Sequence, residues 1–356
     1  MKAALFRGER QIEIAEVPDP AITRPDDVLV RVVRSGICGS DKALYLRPGD
    51  KPGVHGHEVA GIVEEVGSEA APVEPGDRVV VDDVIGCGTC RYCRAGQYTY
   101  CGQRRGSVSG GYGERLVAPA RNLLPLPADI PLDCGCLLSD NFGTPAKACR
   151  KVGVQAGQTV AVFGCGPIGL NGVQAARAYG AEVIAVEPVG YRREAAERLG
   201  ARQTVDPARE DPVQAIREAT DGGADRALEC SGNPEAEKQA LACVAPAGRV
   251  CFVGECGRLE LSPSEDLIRR DVEVMGSWYI HTADFATNLA LLRPQEAPEG
   301  RRGGGASGPA GQVADPLRIV THTVPLTEIA HAFRVFCDHE EGCVKAIVAV
   351  SGSGGP

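Results

Sequence analysis

Cys87, Cys90, Cys93 and Cys101 follow one another at C-x2-C-x2-C-x7-C spacing in a glycine-containing stretch. Four thiolates so placed can close a tetrahedral shell around zinc. Disulfides are the competing use of these cysteines, and they suit a secreted chain. Upstream, Ser35-Gly-Ile-Cys38-Gly-Ser40-Asp41 is followed by Gly56-His57-Glu58, with 19 residues separating Cys38 from His57. Thiolate and imidazole together also suit zinc. Taken alone, a buried thiol and an ordinary histidine explain that pair equally well.

A third stretch points to a dinucleotide. An apolar run over 160–163 leads into Gly164-x-Gly166-Pro167-Ile168-Gly169, an Ala-rich helical pattern follows, and a second apolar run over 183–186 ends on Glu187. Gly164 permits the strand-to-helix turn, Gly166 lets backbone approach a pyrophosphate, and Gly169 lets the helix pack on the strand. The helix N-terminus offers free N–H groups to phosphates. Glu187, 18 residues past Gly169, can accept from the ribose hydroxyls. A bare glycine turn that binds nothing is the simpler alternative, but strand, glycines, helix, strand and acid come here in the order a dinucleotide needs.

These residues require elements to hold them. A chain of 356 residues is long for one core, so two domains are expected. Hydrophobic content of 43% and 45 glycines fit a loop-rich α/β globule. Net charge −9 argues against nucleic-acid or membrane-surface binding. No run reaches the length of a membrane span, and the N-terminus has too short an apolar run for a signal peptide. Fifteen cysteines without an export signal therefore place the chain in a reducing compartment, the cytoplasm. Strand-like runs are expected at 11–17 and 28–34, at 227–229 and 250–253 before glycine turns, and at 272–275 and 344–350. A helix is expected at 326–336, and residues 294–316 form a Gly-rich composition break that reads as a flexible insertion.

Taken in order, Gly-Ile-Cys-Gly-Ser-Asp, Gly-His-Glu, the four-cysteine lobe, Gly110-Gly-Tyr-Gly-Glu114 and Gly-Cys-Gly-Pro-Ile-Gly resemble the zinc-dependent medium-chain alcohol and polyol dehydrogenases, sorbitol dehydrogenase-like members included. The resemblance covers nearly the whole chain. It implies a GroES-like β-rich catalytic domain interrupted by a Rossmann doubly wound parallel sheet, with the active site in the cleft between them. The expected boundaries are 1–146 for the first part of the catalytic domain (zinc lobe at about 86–102), 147–284 for the NAD-binding domain and 285–356 for the remainder. It also implies NAD, two zinc ions per chain (one catalytic, one structural), a small alcohol or polyol substrate, and a homodimer or homotetramer.

Carried over residue by residue, Cys38 and His57 resemble two ligands of the catalytic zinc, and Glu58 a second-shell or transient ligand. The third ligand is Cys, Glu or Asp in different branches, and Leu138-Ser-Asp140 matches the Asp pattern of a formaldehyde-type branch. Asp140 also reads as a helix N-cap; Thr144, in the place of a threonine beside the nicotinamide, favours the ligand reading. Arg192 resembles an arginine beside the adenosine ribose, and Val253 and Gly254 lie at a turn where the family contacts its cofactor. Tyr45, Trp278 and Tyr279 are expected to shape the substrate pocket, and Ser40 to receive the substrate proton.

Two positions depart from the family. Ala43 replaces a relay histidine, and Thr323 an arginine near the cofactor. The resemblance implies oxidation of a secondary alcohol of a polyol, sugar or cyclitol. A primary-alcohol or aldehyde-adduct dehydrogenase is the alternative within the class. A non-catalytic NAD-binding sensor or a zinc-lobe scaffold is the alternative outside it, and the combination of Cys38, His57 and Asp140 disfavours the sensor.

Overall fold

The computed structural model describes residues 1–294 and 313–352, so most of the Gly-rich stretch at 294–316 lies outside the described residues. The contacts divide the chain into two compact units. One takes Met1–Asn141, Ile280–Phe285 and the stretch from Val320; the other takes Phe142–Tyr279 and the described residues between Ala286 and Ile319. The chain thus changes unit at 141/142, 279/280, 285/286 and 319/320, against boundaries expected at 146/147 and 284/285. The described residues at 286–294 and 313–319 join the second unit: Ala314 N donates to Leu291 O, and Asp315 N to Gln174 Oε1.

The first unit is a seven-stranded sheet with strand order Val320–Pro325, Lys345–Ala349, Asp27–Gly36, Glu58–Val66, Arg78–Val81, Leu123–Pro125, and Arg115–Pro119 paired on Asp27–Gly36. Its central strands alternate, so Val28, Val30 and Val32 reach a core shared with Val59, Val63, Val79 and Leu116. A hairpin, Lys2–Gly8 with Gln11–Glu16, stands beside it. The carboxyl-terminal helix Ile329–Asp338 buries Ile329, Ala332, Phe333 and Phe336, following a 3-10 turn at Leu326–Glu328.

The second unit is a six-stranded parallel sheet. Its strands Thr159–Phe163, Glu182–Val186, Gln203–Val205, Ala224–Glu229, Val244–Phe252 and Glu273–Gly276, numbered in that order, lie 3-2-1-4-5-6 across the sheet. This is the doubly wound dinucleotide-binding order. Thr159–Phe163 and Glu182–Val186 are almost continuously apolar and buried, as strands covered on both faces must be. Pro opens three of the helices, Pro167–Ala178, Pro212–Ala219 and Pro234–Cys243, where its missing N–H costs nothing. Asp211 and Asn233 cap the latter two through their side chains. Fold class and topology agree with the GroES-like and Rossmann expectation.

Candidate active site

Strand pairing assembles the first cluster. Asp27–Gly36 runs antiparallel to Glu58–Val66 with Gly36 opposite Glu58, which sets Cys38, just past one strand, beside His57, just before the other. Helix Leu132–Leu138 packs on Glu58–Val66 and delivers Asp140 to the same end. One ligating atom each from Cys38, His57, Glu58 and Asp140 lies within 4.8 Å of every other. Asp140 Oδ2 stands 3.4 Å from Cys38 Sγ and 3.4 Å from His57 Nε2.

Three residues that the sequence reading did not assign complete this cluster. Asp41 Oδ1 is 3.5 Å from His57 Nδ1, while its Oδ2 accepts from Tyr112 Oη (2.6 Å) and Cys38 N (3.0 Å). A carboxylate behind an imidazole fixes which ring nitrogen faces a metal. Lys345 Nζ donates to Glu58 Oε1 and to Ile37 O, both at 2.7 Å. Glu58 Oε2 lies 2.6 Å from the same ammonium but takes no aligned hydrogen bond.

The electrostatics fit a cation. Three carboxylates, Asp41, Glu58 and Asp140, and one ammonium, Lys345, are buried here, and the ammonium is paired with Glu58. Burial pulls the His57 pKa down, but Asp41 and Asp140 on either side more than reverse this and hold it well above the usual imidazole range. Burial, reinforced by Asp140, pushes the Cys38 thiol up to about 11. A buried site with surplus negative charge and mixed S, N and O donors suits zinc.

The second cluster is the cysteine lobe. Ligating atoms of Cys87, Cys90, Cys93 and Cys101 also lie within 4.8 Å of one another, and all fifteen cysteines are free thiols. Cys87 Sγ and Cys93 Sγ are 3.9 Å apart. Zn–S bonds of about 2.3 Å give a tetrahedral edge of about 3.8 Å, whereas a disulfide needs about 2.05 Å. Backbone N–H groups turn onto the sulfurs: Cys90 N onto Cys87 Sγ (3.4 Å), Cys93 N onto Cys90 Sγ (3.5 Å) and Cys87 N onto Cys101 Sγ (3.4 Å). Such donors favour thiolates, and the Cys87 thiol lies below its usual range, chiefly through the Thr89 hydroxyl.

In the second unit Gly164 has φ +82°, and a Cβ at Gly169 would stand 1.7 Å from Gly164 O. The tight turn and the close helix therefore each require glycine. Among the described residues, and apart from its chain neighbours and its own helix backbone, no atom lies within 4 Å of a Cβ placed at Gly166, the N-cap of the helix that Pro167, Ile168 and Gly169 begin. Glu187 is buried at the tip of Glu182–Val186; Oε2 accepts from Cys165 N (2.6 Å) and Oε1 from Val189 N (3.0 Å). A cavity of about 390 Å³ brings Gly164, Glu187 and Arg192 together with Ser231 and Asn233. Arg193 is tied away, donating to Glu187 O and Pro188 O and pairing with Asp206 at 2.9 Å. Val253 N and Gly254 N donate to Glu229 O at 2.8 and 3.0 Å.

Ser40 is exposed on the turn Gly39–Asp41, and Thr144 is buried at the start of helix Gly143–Val152. Trp278 is half exposed, its carbonyl accepting from Lys147 Nζ at 2.9 Å; Tyr279 is buried with φ +54°. Tyr45 belongs to the core cluster that holds Phe6, Tyr112 and Phe333. It is 4% exposed, its ring 5.6 Å from Phe333, because helix Lys42–Leu46 turns Tyr45 to the core and leaves Leu46 in solvent. The missed residues left faint signals: Asp41 closes the Cys38 motif, and Lys345 breaks an apolar run.

Two family models match the chain, one described as alcohol dehydrogenase GroES-like domain over residues 24–128, the other as zinc-binding dehydrogenase over residues 167–293. L-threonine 3-dehydrogenase of Pyrococcus abyssi is 38% identical over 268 residues, 71% of this chain and 74% of that one. Sorbitol dehydrogenase of Bacillus subtilis is 35% identical over 364 residues, 98% and 97% of the two chains. Among solved structures, alcohol dehydrogenase TADH from Thermus sp. ATN1 superposes with a TM-score of 0.86 at 31% identity, covering 99% of this chain and 100% of that one.

Proposed function

This chain belongs to the zinc-dependent medium-chain alcohol and polyol dehydrogenases, and we propose that it transfers a hydride from a secondary alcohol of a polyol, sugar or cyclitol to NAD. The observation that carries the reading is the convergence of Cys38, His57 and Asp140, with Glu58 behind them, at one end of the first unit's sheet. These residues would hold a catalytic zinc, and Cys87, Cys90, Cys93 and Cys101 a structural one. Zinc, when bound, polarises the alcohol oxygen and eases loss of its proton, while the dinucleotide supplies the hydride acceptor. Asp41 orients the His57 ring, Lys345 restrains Glu58, and Ser40 takes the hydroxyl proton towards solvent.

The cavity beside Gly164 would take the adenosine half of the dinucleotide, with Glu187 on the ribose hydroxyls and Arg192 alongside. Thr144, Val253 and Gly254 are assigned to the nicotinamide half, and Trp278 and Tyr279 to the substrate pocket. The secondary-alcohol preference is supported by relatives named for sorbitol and for carbon 3 of threonine, both of which carry secondary hydroxyls. The strand Glu273–Gly276, at the edge of its sheet among the described residues, leaves Val274 exposed, which supports pairing with a second copy in a homodimer or homotetramer. Among the described residues no helix is long and apolar enough to cross a membrane, and we assign the chain to the cytoplasm.

A substrate panel tests the reading. Metal-loaded protein with NAD should generate NADH absorbance with polyols or secondary alcohols. Turnover of primary alcohols or an aldehyde adduct alone would move it to the formaldehyde-type branch that Asp140 resembles. Silence across the whole panel, with NADH still bound, would make it a sensor.

A further inference from the structure

We propose that Glu229 is a positioning residue: it holds the far wall of the dinucleotide cavity and sets affinity for the dinucleotide without choosing between NAD and NADP. This rests on the reading that the cavity beside Gly164 takes a dinucleotide. Glu229 is absent from that cavity's lining and from both metal clusters. It ends the strand Ala224–Glu229, between Thr159–Phe163 and Val244–Phe252, and is 0% exposed.

Its hydrogen bonds run to the loops beyond two neighbouring strands. Oε1 accepts from Ser231 N (2.8 Å), from Ser231 Oγ and from Gly232 N (3.1 Å), and Oε2 shares the Gly232 N–H at 3.1 Å. The main-chain carbonyl of Glu229 takes Val253 N and Gly254 N. These loops touch: a Cβ at Gly254 would stand 2.1 Å from Gly232 N, so neither shifts alone. Ser231 forms cavity wall and presses on the glycine turn, since a Cβ at Gly164 would come 2.8 Å from Ser231 Cβ. Ser231 Oγ in turn accepts from Asn233 N (3.1 Å), and Asn233, also cavity wall, caps helix Pro234–Cys243. One buried carboxylate therefore orders Ser231, Gly232 and, through Ser231, Asn233.

Glu187 uses the same device two strands away, its carboxylate turned onto Cys165 N and Val189 N. The two differ in reach. Glu187 lines the cavity and can discriminate at the ribose, whereas Glu229 stands one layer behind and can act only through the wall. A change at Glu229 should accordingly weaken both cofactors by the same factor.

The test uses the metal-loaded full chain, with NADH titrated calorimetrically and KM for NAD and NADP measured beside kcat. Losing charge-assisted hydrogen bonds in Glu229→Ala should raise the NADH Kd and both KM values about tenfold, with the NAD/NADP ratio, metal content and kcat nearly kept. Glu229→Gln keeps an acceptor for Ser231 and should recover most of the affinity. Should Glu229→Ala not fold, Glu229→Asp, which withdraws the carboxylate by one methylene, carries the same expectation. Parent-like affinity in the folded Ala or Asp variant overturns the proposal. So does a shifted NAD/NADP ratio, or a joint fall of kcat and metal content. If the parent itself does not bind NADH, the dinucleotide reading falls first and takes this inference with it.

Discussion

Lys345 and Glu58 form an ion pair at 2.7 Å in which both side chains are 0% exposed, one step behind Cys38, His57 and Asp140. Burial alone would lower the Lys345 pKa, but the facing carboxylate reverses this and holds it above the usual range. Removing the ammonium leaves a buried carboxylate without its counter-charge. Lys345→Met should therefore destabilise the chain by about 3–5 kcal/mol, since breaking one side of a buried pair costs far more than the pair itself contributes. Urea unfolding measures this directly. A loss below about 1 kcal/mol would show that Glu58 finds another partner, or a proton, at little cost.

Metal content separates the two clusters. Freshly prepared, chelator-free protein should carry two zinc ions per chain, one for each donor set. Cys93→Ser should lose one and lower the melting temperature, by ~2–4 °C for every kcal/mol of folding energy the metal supplied. Asp140→Asn should keep the fold and lose turnover. Fewer than two metals by elemental analysis of the parent sinks the assignment.

Asp41 offers a subtler test, because it touches His57 and not the expected metal position. Asp41→Asn should weaken zinc at the catalytic site by roughly 10–100-fold, the usual cost of losing an outer carboxylate behind a ligating imidazole. Competition with a chromophoric chelator reads that affinity, while the lobe zinc serves as internal control. Equal loss at both sites would indicate a damaged fold instead.

What could be read from sequence was local. The cysteine lobe and the run from Gly164 to Glu187 each fit within a few turns of chain, so spacing and residue type revealed them. The parallel sheet followed from the family resemblance those motifs carry, with the apolar runs at 160–163 and 183–186 as its first two strands. Lys345 was illegible for the opposite reason: it meets Glu58 across 287 residues. Glu229 was read as a strand end, since nothing in Ala227-Leu-Glu-Cys-Ser-Gly232 tells a solvated tip from a carboxylate folded onto its own loop. The burial of Tyr45 was illegible because a five-residue helix has no periodicity long enough to show which side faces the core.

Cofactor choice follows from the tip of Glu182–Val186. The Glu187 carboxylate should repel and crowd a 2′-phosphate, so NAD should be preferred over NADP. Arg193 is held by Asp206, and Arg192 lines the cavity beside Glu187. Glu187→Ser should narrow the preference. It should also weaken NAD itself, because Cys165 N and Val189 N lose their acceptor. Steady-state kinetics with both cofactors decide this, and an equal or better specificity constant for NADP in the parent contradicts it.

The substrate proton makes the last prediction. Oxidation of an alcohol releases a hydride and a proton, and the proton must reach water through some group of the chain. Ser40 is two residues past Cys38 and exposed on its turn, well placed to pass a proton outward. Ala43 removes the family's next step. His55 does not replace it readily: its ring packs edge-on against Phe6 at 5.9 Å, and Nε2 lies 3.3 Å from Lys51 O. On the proposed function, Ser40 would carry the transfer with solvent as the next acceptor. Positioned proton transfer contributes roughly 10²–10⁴-fold, so Ser40→Ala should lower kcat by about that factor with zinc retained. Ala43→His should do little harm and raise the rate below about pH 8, down to the imidazole pKa of about 6.5, beneath which the protonated ring no longer accepts. If Ser40→Ala turns over like the parent across the whole pH range, the proton leaves by another route and Ser40 only shapes the turn.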